Sequence, residues 1–189
     1  MSHLYELILA RRTIRRFKQR KINTKILKKI INAGRLAPSA ANLQPIEYIL
    51  IKDEKIKRKI FENIKLGGYF KDWIPKESER PMYYVVLITN KKIAKNPEFD
   101  CGCASENICL ASTSFGIGSC IIKNANKKEI AKILKIPKKY EINCLIALGY
   151  PAEKSKVVKM KDSVKYFRKG NFVFVPKRNL RDILHINKY

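Results

Sequence analysis

Two stretches constrain the fold of this chain more than any other. Tyr83 to Thr89 is a near-continuous apolar run, and Ile142 to Leu148 is nearly as apolar. Neither shows the strict in-out alternation of a sheet with one wet face, so each reads as a strand buried on both sides. The neighbours of Tyr83 to Thr89 are therefore expected to be strands as well.

Around these runs helical and strand patterns alternate. Leu4, Leu7, Ile8 and Arg11-Arg12 keep helical spacing, and Asn23-Thr24 caps a second helix carrying Ile26, Leu27, Ile30, Ile31 and Ala33, closed by Gly34 and Pro38. Ile46 to Ile51 reads as a strand, and Asp53 opens a charged helix through Ile56, Ile60, Phe61 and Ile64 that Gly67-Gly68 ends. Tyr69 to Pro81, with Tyr69, Phe70 and Trp73 among charges and prolines, has no clean period and is expected to be a surface segment or lid over substrate. Asp100 begins a helix rich in small residues (Ala104, Ser105, Ala111, Ser112), which permits close approach of another helix, and Gly116 ends it. A strand over Ile117 to Ile122, a short helix over Lys127 to Lys135 and the run Ile142 to Leu148, ending at Gly149-Tyr150-Pro151, complete the pattern. Beyond Lys154 the composition changes, and this tail is too short for a domain; it is expected to wrap over the main body or a partner subunit.

At 189 residues the chain fits one domain. Its 41 Lys and Arg against 16 Asp and Glu give a formal charge of +25, enough to attract nucleic acid, acidic membrane or phosphorylated small molecules. Lysine is scattered rather than gathered in one arm and no nucleic-acid motif accompanies it, so specific nucleic-acid binding is not expected. No signal-peptide pattern and no membrane-length apolar run is seen, and a cytoplasmic protein is expected. The five cysteines, an odd number without a C-x-x-C pair, argue against a disulfide framework or a metal centre and for small core residues. The two histidines, His3 and His185, lie near the ends, and no Ser-His-Asp or Cys-His pattern is present, so no residue of the chain is expected to act as a nucleophile.

Two motifs carry chemistry. Arg11-Arg12-Thr13-Ile14-Arg15-Arg16-Phe17 sits between an apolar helix and a turn, where guanidinium groups and a hydroxyl make an anion cradle; a solvated basic face is the alternative. Ala37-Pro38-Ser39-Ala40-Ala41-Asn42-Leu43-Gln44-Pro45 sets three uncharged hydrogen-bonding side chains, Ser39, Asn42 and Gln44, immediately before a strand. Donors there can approach a planar heterocycle; a structural turn is the alternative.

Together with the terminal Pro176-Lys177-Arg178-Asn179-Leu180, these motifs resemble those of the FMN-dependent nitroreductase family over nearly the whole length. The family's Arg-x-Ser/Thr-x-Arg/Lys-x-Phe opening is met by Arg11, Thr13, Arg15 and Phe17, and its Pro-Ser-x-x-Asn-x-Gln-Pro loop by Pro38, Ser39, Asn42, Gln44 and Pro45. The resemblance implies an α+β fold, a three-layer α/β/α sandwich with a central mixed, mainly antiparallel sheet. It implies a single domain over 1–189 whose extension, 152–189, wraps the partner of a homodimer. It implies FMN at the dimer interface, with Arg11, Thr13 and Arg178, and less directly Arg12 and Lys177, on its phosphate. Arg15 would lie near the ribityl chain and the N1/O2 edge, Gly118 and Ser119 beside the isoalloxazine, and the Pro38 to Gln44 loop, Ala40 included, would come from the second subunit. The implied reaction is ping-pong: NADH or NADPH gives a hydride to flavin N5, and a nitroaromatic, quinone or similar planar acceptor takes the electrons. Related flavin chemistry, reductive dehalogenation or flavin destruction, is the alternative task, and the +25 charge leaves a basic nucleic-acid-binding protein as a more distant alternative. A flavin collects negative charge around N1 and the C2 carbonyl when reduced, so a permanently charged Arg15 suits that place. Trp73 is a candidate to stack over the flavin; Cys120 reads as a packed strand residue rather than a redox partner.

Overall fold

The computed structural model describes residues 2–94 and 96–189. Its centre is β5 (Tyr140–Pro151), which pairs antiparallel with β3 (Tyr83–Asn90), with β4 (Gly118–Ile122) through residues 145–149, and with the short β1 (Phe17–Lys18) through residues 150–151. The far edge of β3 carries β2 (Ile46–Ile51), again antiparallel. The expected mixed character reduces in this sheet to one isolated parallel bridge, Thr13 to Ser119.

Two separate cores explain why β3 reads as an unbroken apolar run. Tyr83, Val85 and Leu87 face α2 (Thr24–Arg35) and α4 (Glu98–Ser114), packing with Leu27, Ile30, Ala104 and Ile108. The alternate residues Tyr84, Val86 and Ile88 face α3 (Glu54–Glu62) and α5 (Lys127–Ile133), packing with Ile60 and Ile130. A strand covered on both faces has no wet side to mark in sequence. Each fully buried Leu or Ile here contributes about 1.5–3 kcal/mol. The first helix, α1 (His3–Ala10), differs from the others in burying no residue.

Helix ends follow local capping where side chains supply it. Asn23 accepts from the Lys25 N–H at the start of α2, and Asp53 accepts from the Ile56 N–H at the start of α3. The second helix ends at Arg35, between Gly34 and Pro38 as expected, though the glycine there has another task, and the third ends earlier than expected. Gly34 lies inside α2: a Cβ there would sit 2.7 Å from the Ile108 side chain, so this glycine serves the close approach of α2 to α4. The third helix stops at Glu62 rather than at Gly67-Gly68, because the Asn63 side chain donates back to the Lys59 carbonyl and Ile64 leaves to bridge Ala125. The last strand of the main sheet is longer than the apolar run, since pairing extends from Tyr140 opposite Asn90 to Pro151 opposite Phe17.

The tail folds back on its own chain as a second sheet. In it β6 (Lys154–Lys159) runs parallel to β8 (Phe172–Lys177), and β7 (Phe167–Lys169) pairs antiparallel with the other edge of β8. Val173 is buried, while Phe167 and Phe172 are exposed on the opposite face. No helix among the described residues is long and apolar enough to cross a membrane.

Candidate functional site

Past Ala10 the chain leaves the helix and runs beside β4. The Ile14 N–H donates to the Ser119 carbonyl at 2.9 Å, and Thr13 bridges Ser119. Ile14 packs against Gly118 so closely that a Cβ there would meet it at 2.8 Å. The structure thus brings the first motif and Gly118-Ser119 side by side. Arg11 Nε pairs with Glu106 on α4 at 2.8 Å. Arg12 folds back, donating to the Arg11 carbonyl and to that of Leu9; burial first and the neighbouring Arg11 second lower its pKa.

Arg15 is held at three points. Its backbone N–H donates to Glu153 Oε1 at 2.6 Å, its Nε to the Leu66 carbonyl at 2.8 Å, and its Nη2 to the Tyr166 hydroxyl at 2.9 Å. The guanidinium also stands 4.5 Å from the centre of the Tyr166 ring. Of the five N–H groups of a guanidinium, three remain without a partner among the described residues. Glu153, only 4% exposed, also accepts from the Arg16 N–H and, at 2.6 Å, from Arg168 Nη2. Arg168 in turn stands 4.6 Å from the ring centres of both Phe70 and Trp73. A cleft of about 630 Å³ adjoins this cluster, lined by Phe61, Leu66, Gly68, Phe70, Trp73 and Arg80 among others. That volume suits a drug-sized planar molecule.

The second motif forms an exposed loop tied to α4 by one bond, from the Ala40 N–H to buried Asp100. Inside it the Ser39 hydroxyl accepts from the Gln44 N–H at 3.0 Å, and the Gln44 amide donates to the Asn42 carbonyl at 3.3 Å. Ala41, Asn42 and Gln44 all have positive φ, of 48°, 55° and 49°. Non-glycine residues adopt that region at a cost, and such strain gathers where binding needs a particular backbone shape. Pro38, Ser39 and Gln44 line a smaller cleft of about 120 Å³ against α4.

Not all the sequence candidates converge. Among the described residues no hydrogen bond joins the loop of Pro38 to Gln44 to the arginine run within this chain. Lys177 is exposed, and Arg178 donates to the Asp182 carbonyl at 2.7 Å. Trp73 is half-buried and packs edge-on to Phe70. Cys120 is buried in the sheet and its thiol is pushed up to about 11 by burial, so a thiolate there is disfavoured. Cys101, Cys109 and Cys144 are buried too, whereas Cys103 is half-buried. Glu153, Tyr166 and Arg168 escaped the sequence reading. The one local sign was Gly67-Gly68, which marks the loop that Tyr166 grips rather than a helix end.

The chain is similar to known proteins over most of its length. The model of the Nitroreductase family matches residues 8–150. A protein of Archaeoglobus fulgidus, provisionally named NADH dehydrogenase/NAD(P)H nitroreductase, is 31% identical over 161 residues, covering 81% of this chain and 88% of the relative. The iodotyrosine deiodinase of Thermotoga neapolitana is 27% identical over 171 residues, covering 80% and 90%. Among solved structures, an FMN-dependent nitroreductase from Clostridium difficile R20291 superposes with a TM-score of 0.74 at 26% identity, covering 97% of this chain and 98% of that one. An arginine run set against β4, the helix layers on both sheet faces and a family match over most of the chain lead to one assignment: the chain belongs to the nitroreductase family.

Proposed function

We propose that this protein is an FMN-dependent oxidoreductase that takes a hydride from NADH or NADPH and passes electrons to a flat oxidised acceptor such as a nitroaromatic or a quinone. The observation that carries the reading is Arg15, a guanidinium fixed by the Leu66 carbonyl and the Tyr166 hydroxyl, with three N–H groups left to offer, next in sequence to the Ile14 that packs on Gly118, and held by the Leu66 that helps line a cleft of about 630 Å³. When bound, FMN supplies an N5 that accepts hydride and an N1/C2-carbonyl edge that gains negative charge. Arg15 stabilises that edge without a proton transfer, because its charge is permanent and its orientation is set beforehand.

Thr13 and Arg11, with Arg178, and Arg12 and Lys177 nearby, hold the phosphate. The present partners of Arg11 and Arg178 do not prevent this. Glu106 is nearly half exposed, so its pair with Arg11 is worth at most about 1 kcal/mol and yields to a dianion. Gly118 and Ser119 line the path of the isoalloxazine, and Phe70 and Trp73 exclude water on the cleft side. Pro38, Ser39, Ala40, Asn42 and Gln44 act on the site of a second copy, which makes the working unit a homodimer. The exposed apolar residues of α1, Leu4, Tyr5, Ile8 and Leu9, are the kind of patch such an interface covers. In that dimer the 152–189 extension also reaches the partner.

The test is optical. Protein mixed with FMN, desalted and treated anaerobically with NADH or NADPH should keep the flavin bands, lose them on reduction, and regain them when a nitroaromatic is added. A protein that emerges colourless from desalting overturns the reading. The double variant Arg11→Ala/Arg178→Ala should lose affinity for FMN by at least about tenfold, since charge-assisted bonds contribute about 1.5–3 kcal/mol each; unchanged retention would mean the phosphate lies elsewhere. A second reading, reductive dehalogenation of a halogenated phenol, draws on the likeness to the Thermotoga neapolitana deiodinase. Halide release from an iodophenol by the reduced protein separates the two.

A further inference from the structure

We propose that Tyr166 is a positioning residue for Arg15: its phenol sets the plane of the guanidinium and so decides how strongly the site favours reduced over oxidised FMN. The inference rests on the FMN reading above and concerns Tyr166, just before β7, a residue to which no binding role has been attached.

The hydrogen-bond inventory of the phenol is full. A tyrosine hydroxyl has one proton to give and two lone pairs. Here the proton goes to the Gly67 carbonyl at 3.0 Å, and the oxygen accepts from the Tyr69 N–H at 3.1 Å and from Arg15 Nη2 at 2.9 Å. With its proton committed to Gly67, the oxygen presents a lone pair to Arg15, and only as an acceptor. A guanidinium held by the Leu66 carbonyl alone is fixed along one direction; a second acceptor fixes its plane and therefore the direction of the N–H groups still unused. The ring of Tyr166 lies against the same guanidinium, with Phe70 on a further side at 5.8 Å.

The loop is shaped for this phenol. Gly68 has φ +59°, and a Cβ built there would stand 1.8 Å from the Tyr166 oxygen and 3.9 Å from Arg15 Nη2. A side chain at 68 would therefore expel the hydroxyl from its seat. The chain at Tyr166 is anchored two residues on, in β7, where Arg168 meets the same Glu153 carboxylate that accepts from the Arg15 backbone. Backbone, guanidinium plane and tail strand thus form one closed set of contacts around Arg15.

Tyr166→Phe keeps the ring and removes only the hydroxyl. The measurement is the two-electron midpoint potential of bound FMN, taken against reference dyes, in wild type, Tyr166→Phe, Arg15→Gln and the double variant. Loss of one charge-assisted bond that aims the cation should reduce the preference for reduced FMN by about tenfold in Tyr166→Phe, a shift of about 30 mV to more negative potential. In the Arg15→Gln background the same substitution should produce no further shift, because there is no cation left to aim. Gly68→Ala, which keeps the phenol but denies it space, should shift the potential in the same direction and covers the case in which Tyr166→Phe folds poorly. A wild-type potential in both Tyr166→Phe and Gly68→Ala overturns the inference. So does an equal shift with Arg15 absent, which would assign Tyr166 a merely structural role. A wild-type protein that takes up no FMN fails before any variant is made, and that result overturns the FMN reading together with this inference.

Discussion

The central sheet and the sheet of the tail meet the rest of the protein by different physics. In the central sheet β3 and β5 send Val85, Val86, Leu145, Ile146, Ala147 and Leu148, all fully buried, into two apolar layers. In the tail only Val173 is a buried apolar residue; docking falls to Glu153 and Tyr166, which hydrogen-bond Arg15, Arg16 and the loop at Gly67, and to Arg168, which pairs with Glu153 and lies against the rings of Phe70 and Trp73. Apolar burial is strong and without direction. Hydrogen bonds to charged groups are fewer but fix angles. The region that carries the fold is thus built for area, and the region that touches Arg15 is built for orientation.

That contrast has a first consequence in stability. Leu145→Ala removes a fully buried side chain from the layer of Ile60 and Ile130 and should cost about 2–5 kcal/mol, read as a lower midpoint in urea and in heat. FMN affinity should follow only as far as the folded fraction does. Glu153→Gln is the counterpart in the tail. It keeps the shape but leaves Arg168 without its anion, and should cost about 1–3 kcal/mol, less than the core cavity, while disturbing FMN binding more than Leu145→Ala does. Should Glu153→Gln destabilise as much as Leu145→Ala and leave FMN binding untouched, the tail would be an ordinary extension of the core and the contrast would fail.

The same difference in physics explains what could be read in the sequence. The bounds of β2, the apolar run of β3 and the caps Asn23 and Asp53 are local signals, and each is where the sequence puts it. Gly34 misleads because glycine near a helix end serves either as a stop or as a place of close approach, and only Ile108, on another helix, decides between them. The residue types of the site were legible in Arg11 to Phe17 and Pro38 to Pro45. Their partners were not. Glu153 meets Arg15 across 138 residues of chain and Tyr166 meets it across 151, and no periodicity reports such pairings. Likewise Lys154 to Lys159 looks merely basic until β8 lies beside it.

The smallest expected effect lies on the body side of the seam, where Arg16, which donates to Asn171 of the tail at 3.4 Å, pairs with Glu79 of the body. The hydrogen bond from Arg16 is the main cause that holds the Glu79 carboxyl below its ordinary value of 4.5, with burial opposing it. A carboxyl with a lowered folded pKa binds its proton more readily in the unfolded chain. Its contribution is therefore fully present above the unfolded pKa and is lost as pH falls from about the ordinary value through the lower, folded one. The pair is partly solvated, so the contribution is at most about 1 kcal/mol. Urea midpoints from pH 7 down to pH 3 should fall for wild type, and Glu79→Gln should lower the midpoint at pH 7 slightly and flatten the acid limb. Parallel curves for the two proteins would show that the pair of Arg16 and Glu79 carries no titrating load, and would leave the acid limb to other carboxylates, Glu153 among them.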